Sequence, residues 1–316
     1  MKSLIMILTA GLILAGTAHA SSLEDVVDGQ TALTCDLYQQ LSLDPGNVFF
    51  SPASISLILG LVRGGALGET AQEMTAALHF PDNVKALHSG NLDLQKSLDL
   101  ESELASLAVA NRLWPDQRLP LRDSFLNLSL SNYLARPEAL DFAGNPAGAT
   151  GRINAWIADQ TQQMIPELLQ PGDITPATLL VLTNAIYFKG TWQYQFDPKL
   201  TVNQSFRVDP QTTVEAPFMV QKGALPYAGF PGAQVVELPY AGTDLAMLIV
   251  LPDQVDGLAR IEAELSADWI RRWTGNLQPV SLQLILPRFE LDVRKKLREN
   301  LEALGMKTAF TAAAEF

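Results

Sequence analysis

"LVLTNAIYFKGTWQYQFDP", residues 180–198, begins as a strand and then breaks its own pattern. Its first half is apolar or β-branched on both alternations, which suits a strand covered on both faces. Asn184 nevertheless stands in the middle of the run, and Lys189, Gly190 and Trp192 follow it. A buried amide left unpaired costs about 1–3 kcal/mol, so Asn184 must have partners. The stretch therefore predicts a buried strand carrying a polar fastening point.

Similar runs lie to either side. "LASLAVANRLW" from Leu104, "TLLVLTNAIYF" from Thr178, "QVVELPY" from Gln234 and "LAMLIVLP" from Leu245 read as strands, as does "VSLQLILPRFEL" from Val280. In the last, Val280, Leu282, Leu284 and Leu286 alternate with polar Ser281 and Gln283, the pattern of a half-buried antiparallel strand. Helical periods dominate the first half. Ser51-Pro52 reads as an N-cap followed by proline at the first helical position, with Ile55, Ile58, Leu59 and Val62 marking the buried face. Further helices are expected from Gly68 to Leu78, from Arg152 to Leu168, and through Val293, Leu297, Leu301 and Leu304 to a stop at Gly305. No repeat, low-complexity tract or linker interrupts the chain, so a single α+β domain is expected over residues 21–316.

Residues 1–20 are expected to leave that domain. Lys2 precedes an apolar run from Leu4 to Ala15, and Ala18-His19-Ala20 has the small-x-small form of a signal-peptidase site. The run is short of the ~20 residues that cross a bilayer, so it reads as an export signal and not as an anchor. Thr17 stands where a lipid-attachment motif needs cysteine. Removing Lys2 and no acid takes the formal charge from −12 to −13. With the basic residues scattered, this argues against a nucleic acid, an anionic membrane or another polyanion as partner. The lone Cys35 allows no intrachain disulfide and is expected as an apolar filler of the first helix.

Catalytic chemistry is missing from the sequence. After export only His79 and His88 remain, and no nucleophile elbow, zinc motif, paired cysteines or phosphate loop occurs. Glu262 and Glu264 read as a solvated helix face. The expectation is a protein that is not an enzyme and needs no cofactor or metal.

Several blocks, taken in order, resemble the serpins. They are "NVFFSPASISLILGLVRGGALGETAQEM" (47–74), "ANRLW" (110–114), "INAWIADQTQQMIPELL" (153–169) and the opening stretch. "VVELPY" with "LAMLIVLP" and "LILPRFEL" with "LGMKTAF" complete the set. The resemblance implies about eight or nine helices around three β-sheets, the largest of which opens to accept a cleaved reactive loop as an added strand. It implies a monomeric inhibitor of serine, and sometimes cysteine, proteases. A non-inhibitory member acting as a binding or chaperone-like protein is the alternative. By the same resemblance Ser51, Ser54 and Asn184 fall on the family's shutter, a polar cluster beneath the sheet, and Trp192 falls on its upper breach. The reactive loop and the last strands are expected beyond Phe316, so the chain reads as the larger part of a longer, apparently bacterial serpin. Heparin activation is not expected, because in residues 84–99 Lys85 and Lys96 are offset by Asp93 and Asp99.

Overall fold

Residues 5–10 and 18–316 are described by a computed structural model; much of the expected leader lies outside the described residues. In chain order they form β1 (Ile5–Ala10), α1 (Ala18–Leu41), α2 (Pro52–Arg63), α3 (Gly68–Ala77), α4 (Val84–Ser97), β2 (Leu100–Glu101), β3 (Ala105–Pro115), α5 (Asp123–Asn132), β4 (Arg136–Pro137) and α6 (Pro146–Gln160). There follow β5 (Leu180–Gly190), β6 (Val202–Arg207), β7 (Thr213–Phe230), β8 (Ala233–Pro239), β9 (Leu245–Pro252), α7 (Leu258–Glu264), α8 (Ala267–Gly275), β10 (Gln278–Pro287) and α9 (Arg298–Ala303). No helix among them is long and apolar enough to cross a membrane.

Two compact units are built from these elements, each assembled from segments distant in sequence. The first contains Thr34–Phe50, Gly190–Leu304 and β1. Its sheet runs β1-β9-β8-β7-β10, with β6 on β7. The 18-residue β7 pairs in turn with β6, β10 and β8, so it carries two stretches of sheet in one ladder. Strands β8 and β9 are covered on both faces. Val235, Leu248 and Val250 pack with Cys35, Ile261, Ile270 and Trp273, while Val236, Leu238 and Ile249 pack with Leu225 and Leu286. Double coverage explains why "LAMLIVLP" is apolar throughout instead of alternating. Burial raises the Cys35 thiol to about 11, which leaves it an inert filler, as the sequence implies.

The second unit contains residues 18–33, Ser51–Lys189 and Gly305–Phe316. Its sheet has β2 and β4 paired with β3, and β5 also paired with β3. Strand period two gives β3 two different faces. Asn111 and Leu113 are buried on one, while Trp114 on the other joins Ile153, Trp156 and Ile157 of α6.

Several expected elements differ. Helix α6 starts earlier, where Asn145 Oδ1 caps Gly148 N at 2.9 Å, and ends earlier, at Gln160. Gln162 and Gln163 have φ of 48° and 67°, and Asn154 instead holds the backbone N–H groups of Leu168 and Leu169. Met164, Ile165 and Leu168 are exposed as a result. Their apolar spacing imitates a helix face that the chain does not form. In α2 the buried residues are Ser56, Leu57, Gly60 and Leu61, with Ile55, Ile58, Leu59 and Val62 half-buried, because this helix is apolar on most of its circumference. The last helix is shortened to six residues, although Gly305 does follow it with a φ of 109°.

Candidate functional site

Asn184 of β5 finds its partner across the sheet. Its Nδ2 donates to Asn111 Oδ1 of β3 at 2.7 Å, which places both carboxamides on the same face of neighbouring strands. Asn111 Nδ2 in turn donates to Gln95 Oε1 of α4 at 2.7 Å and to the carbonyl of Tyr133 at 2.9 Å. Gln95 Nε2 continues to the carbonyls of Asn132 and Asn91, at 2.9 and 3.1 Å. A polar seam thus joins the middle of β5 to a helix packed beneath the sheet.

The seam ends at the Tyr133 hydroxyl. Asn91 Nδ2 donates to it at 3.3 Å, and His88 Nδ1 lies within hydrogen-bond distance of it at 2.7 Å. A neutral imidazole with its proton on Nε2 would accept the Tyr133 proton there. Burial, aided by the nearby charge of Arg63, lowers the His88 pKa to about 4. Gly60 of α2 makes room for the group, since a Cβ there would lie 2.8 Å from Asn91 Nδ2 and 2.9 Å from the Tyr133 hydroxyl. Around the seam, Leu61, Tyr133 and Ala135 pack with Phe125, Leu128 and Leu182.

Two acceptors in this seam have no donor. The Oδ1 atoms of Asn184 and Asn91 are buried and unpartnered. Among the described residues the strand that pairs with β5 is β3.

Ser51 and Ser54, which the resemblance sets with Asn184 on the shutter, bond each other at the start of α2. Ser51 Oγ accepts the Ser54 backbone N–H at 3.3 Å as the N-cap of α2, and Asn184 turns to Asn111. The N-cap geometry commits the Ser51 oxygen to its own helix. Ser56, at 1% exposure, is the deeply buried serine of α2. Trp192 lies in the first unit, half-buried, stacked on Tyr240 at 4.3 Å and edge-on to Phe196 at 6.5 Å. The sequence reading missed Asn111, Gln95, His88 and Tyr133. A signal was present: four polar residues at positions that otherwise belong to apolar strand and helix faces.

The opposite face of β3 carries a separate cluster. The Arg112 guanidinium lies 5.3 Å from the Trp114 ring and 5.0 Å from that of Trp156, and it bonds Glu138 Oε2 at 2.5 Å. Glu138 also accepts from Arg152 of α6 at 2.7 and 2.9 Å. The group fastens α6 to the sheet. Asp116, held down to about 2 chiefly by its bond from the Arg118 side chain, is structural; its Oδ2 accepts the Phe142 backbone N–H at 2.8 Å. Glu262 accepts the Tyr38 hydroxyl at 3.0 Å and Glu264 pairs with Arg260.

Residues 28–316 match the family model for serpins, described as serine protease inhibitors. The chain belongs to the serpin family. Its curated relatives include the leukocyte elastase inhibitor of Xenopus tropicalis, 36% identical over 301 residues, with 92% of this chain and 80% of the relative covered. Emu ovalbumin superposes with a TM-score of 0.89 at 28% identity, over 92% of this chain and 80% of that one. A cleaved, loop-inserted ovalbumin mutant gives 0.87 at 26%, over 92% and 81%. This serpin is thus an α+β protein of a protease-inhibitor family and not an enzyme.

Proposed function

We propose that this serpin is an exported inhibitor of serine-type endopeptidases that traps its target by adding its own cleaved loop to the sheet beside β5. The one-sided pairing of β5 above the unfilled Asn184 acceptor carries the reading. An inserted strand would complete the ladder and could bring that acceptor a donor, so cleavage would release free energy held in a metastable sheet. Asn184 and its partner Asn111 would then act as the gate. Ser51 and Ser54 would support it through α2, and Trp192 would stiffen the chain where β5 ends. A cysteine protease that forms an acyl-enzyme would be trapped by the same route.

The test uses the product of the whole reading frame, secreted from its own leader and mixed with serine proteases of trypsin, chymotrypsin and elastase specificity. The secreted chain should begin at Ser21, and one of the enzymes should form a complex that survives boiling in detergent. Cleavage of the serpin by every enzyme, with no stable complex, would overturn the inhibitory reading.

A further inference from the structure

Arg63 closes α2 without an acid to meet it. The chain carries 34 acidic residues against 22 basic ones, so a half-buried arginine should find a carboxylate easily. Its one hydrogen bond among the described residues runs instead from Nε to Thr75 Oγ1 of α3, at 2.8 Å. That hydroxyl in turn donates to the Ala71 carbonyl at 2.8 Å, so it fixes the direction of the guanidinium and neutralises nothing. Burial lowers the Arg63 pKa, and no neighbouring acid restores it. The terminal N–H groups of the guanidinium are left without an acceptor.

His88 of α4 stands beside it. Gly64, the residue after Arg63, lets the end of α2 close on the imidazole: a Cβ there would lie 3.2 Å from His88 Cε1 and 2.3 Å from Leu128 Cδ2. The ring is buried, and the Arg63 charge reaches it, adding to the effect of burial on its pKa. Nδ1 faces the Tyr133 hydroxyl at 2.7 Å. With Nδ1 accepting there, the ring proton sits on Nε2, which has no acceptor among the described residues. Two kinds of N–H donor thus stand side by side, and neither meets a carboxylate.

We propose that Arg63 and His88 form a binding site for one small oxyanion, a phosphate or a carboxylate, received by the guanidinium fork and the imidazole Nε2–H. Arginine matches either group with two parallel N–H donors, and such charge-assisted bonds are stronger than neutral ones. Tyr133 joins the same ring to the polar seam, so an occupied site steadies the end of the seam opposite Asn184. The inference rests on neither the leader nor loop insertion, so it stands or falls separately from protease inhibition.

Histidine ring signals of the full chain test it by magnetic resonance, because the three histidines, His19, His79 and His88, are assigned by single replacements. Sodium phosphate or sodium acetate is added at neutral pH and constant ionic strength. The His88 Cε1–H signal should shift along a saturating curve, half-complete at or below about 10 mM, for at least one of the two anions. The anion that gives the tighter curve identifies the chemistry of the ligand. Arg63→Gln should raise the half-saturating concentration about tenfold or more. A signal that fails to saturate with either anion would overturn the proposal. So would a curve that Arg63→Gln leaves unchanged, since the anion would then be held elsewhere. Should Arg63→Gln fail to fold, Arg63→Lys decides, because it keeps the charge and gives up the fork: binding should weaken about threefold or more, and an unchanged curve would again overturn the site.

Discussion

At the residue scale, the carboxamide in the middle of β5 is explained by a partner on the neighbouring strand. Replacing Asn184 by Ala removes the donor to Asn111 Oδ1 and should cost about 1–3 kcal/mol in urea unfolding of the full chain. Combining it with Asn111→Ala should show a coupling of about 0.5–3 kcal/mol. Strict additivity would mean that the two amides do not interact in solution. His88 supplies a pH signature. Its pKa is about 4 in the fold against 6.5 for an unburied imidazole, so between these values the unfolded chain binds the extra proton. Stability should therefore be constant above pH 6.5 and fall by about 3 kcal/mol as the pH drops to 4. His88→Gln should flatten that segment of the profile. A wild-type curve already flat from pH 7 to 4 would remove the buried neutral imidazole from the account. The effect is separable from Asp116, whose lowered carboxyl loses its stabilisation only below the ordinary aspartate range.

At the scale of elements, Asn154 shows how a side chain can replace a helix. It accepts from the Leu168 and Leu169 backbone and donates to the Leu169 carbonyl, all within 3.1 Å. Asn154→Ala should speed limited proteolysis within residues 162–170 and cost about 1–2 kcal/mol. Unchanged cleavage would show that other contacts hold the segment. The same region marks the limit of what the sequence revealed. Strands with a simple period, or with two covered faces, were legible: β3, β5, β8, β9 and β10 all lie where their apolar runs place them. Strands β6 and β7 were not, because β6 is largely polar and Pro217, Gly223 and Pro226 interrupt the alternation of β7. Helix α6 was displaced because Met164, Ile165 and Leu168 continue its spacing past two residues with positive φ, a backbone choice that periodicity does not register. At the candidate site Asn184 was legible by its contrast with the surrounding strand. Its partners were not, since Asn111, Gln95 and Tyr133 come together only through the pairing of β3 with β5 and the packing of α4.

For the whole molecule, the account turns on an asymmetry. Among the described residues, the apolar strands β8 and β9 of the first unit each pair with two strands, whereas β5 of the second unit pairs with β3. Nothing in the polar seam performs covalent chemistry: its residues are amides, a phenol with a raised pKa and a neutral imidazole. Its hydrogen bonds hold β5, β3 and α4 together, which agrees with membership of a protease-inhibitor family. The claim that the unpaired edge of β5 receives the cleaved loop is open to direct observation. Amide hydrogen exchange across Val181–Lys189 should be followed in the full-length serpin before and after reaction with a protease that it traps. The account predicts that exchange slows sharply on complex formation, as the second edge of β5 gains a ladder. Equal protection before and after the reaction would contradict it, because the sheet would then have had no place for the loop.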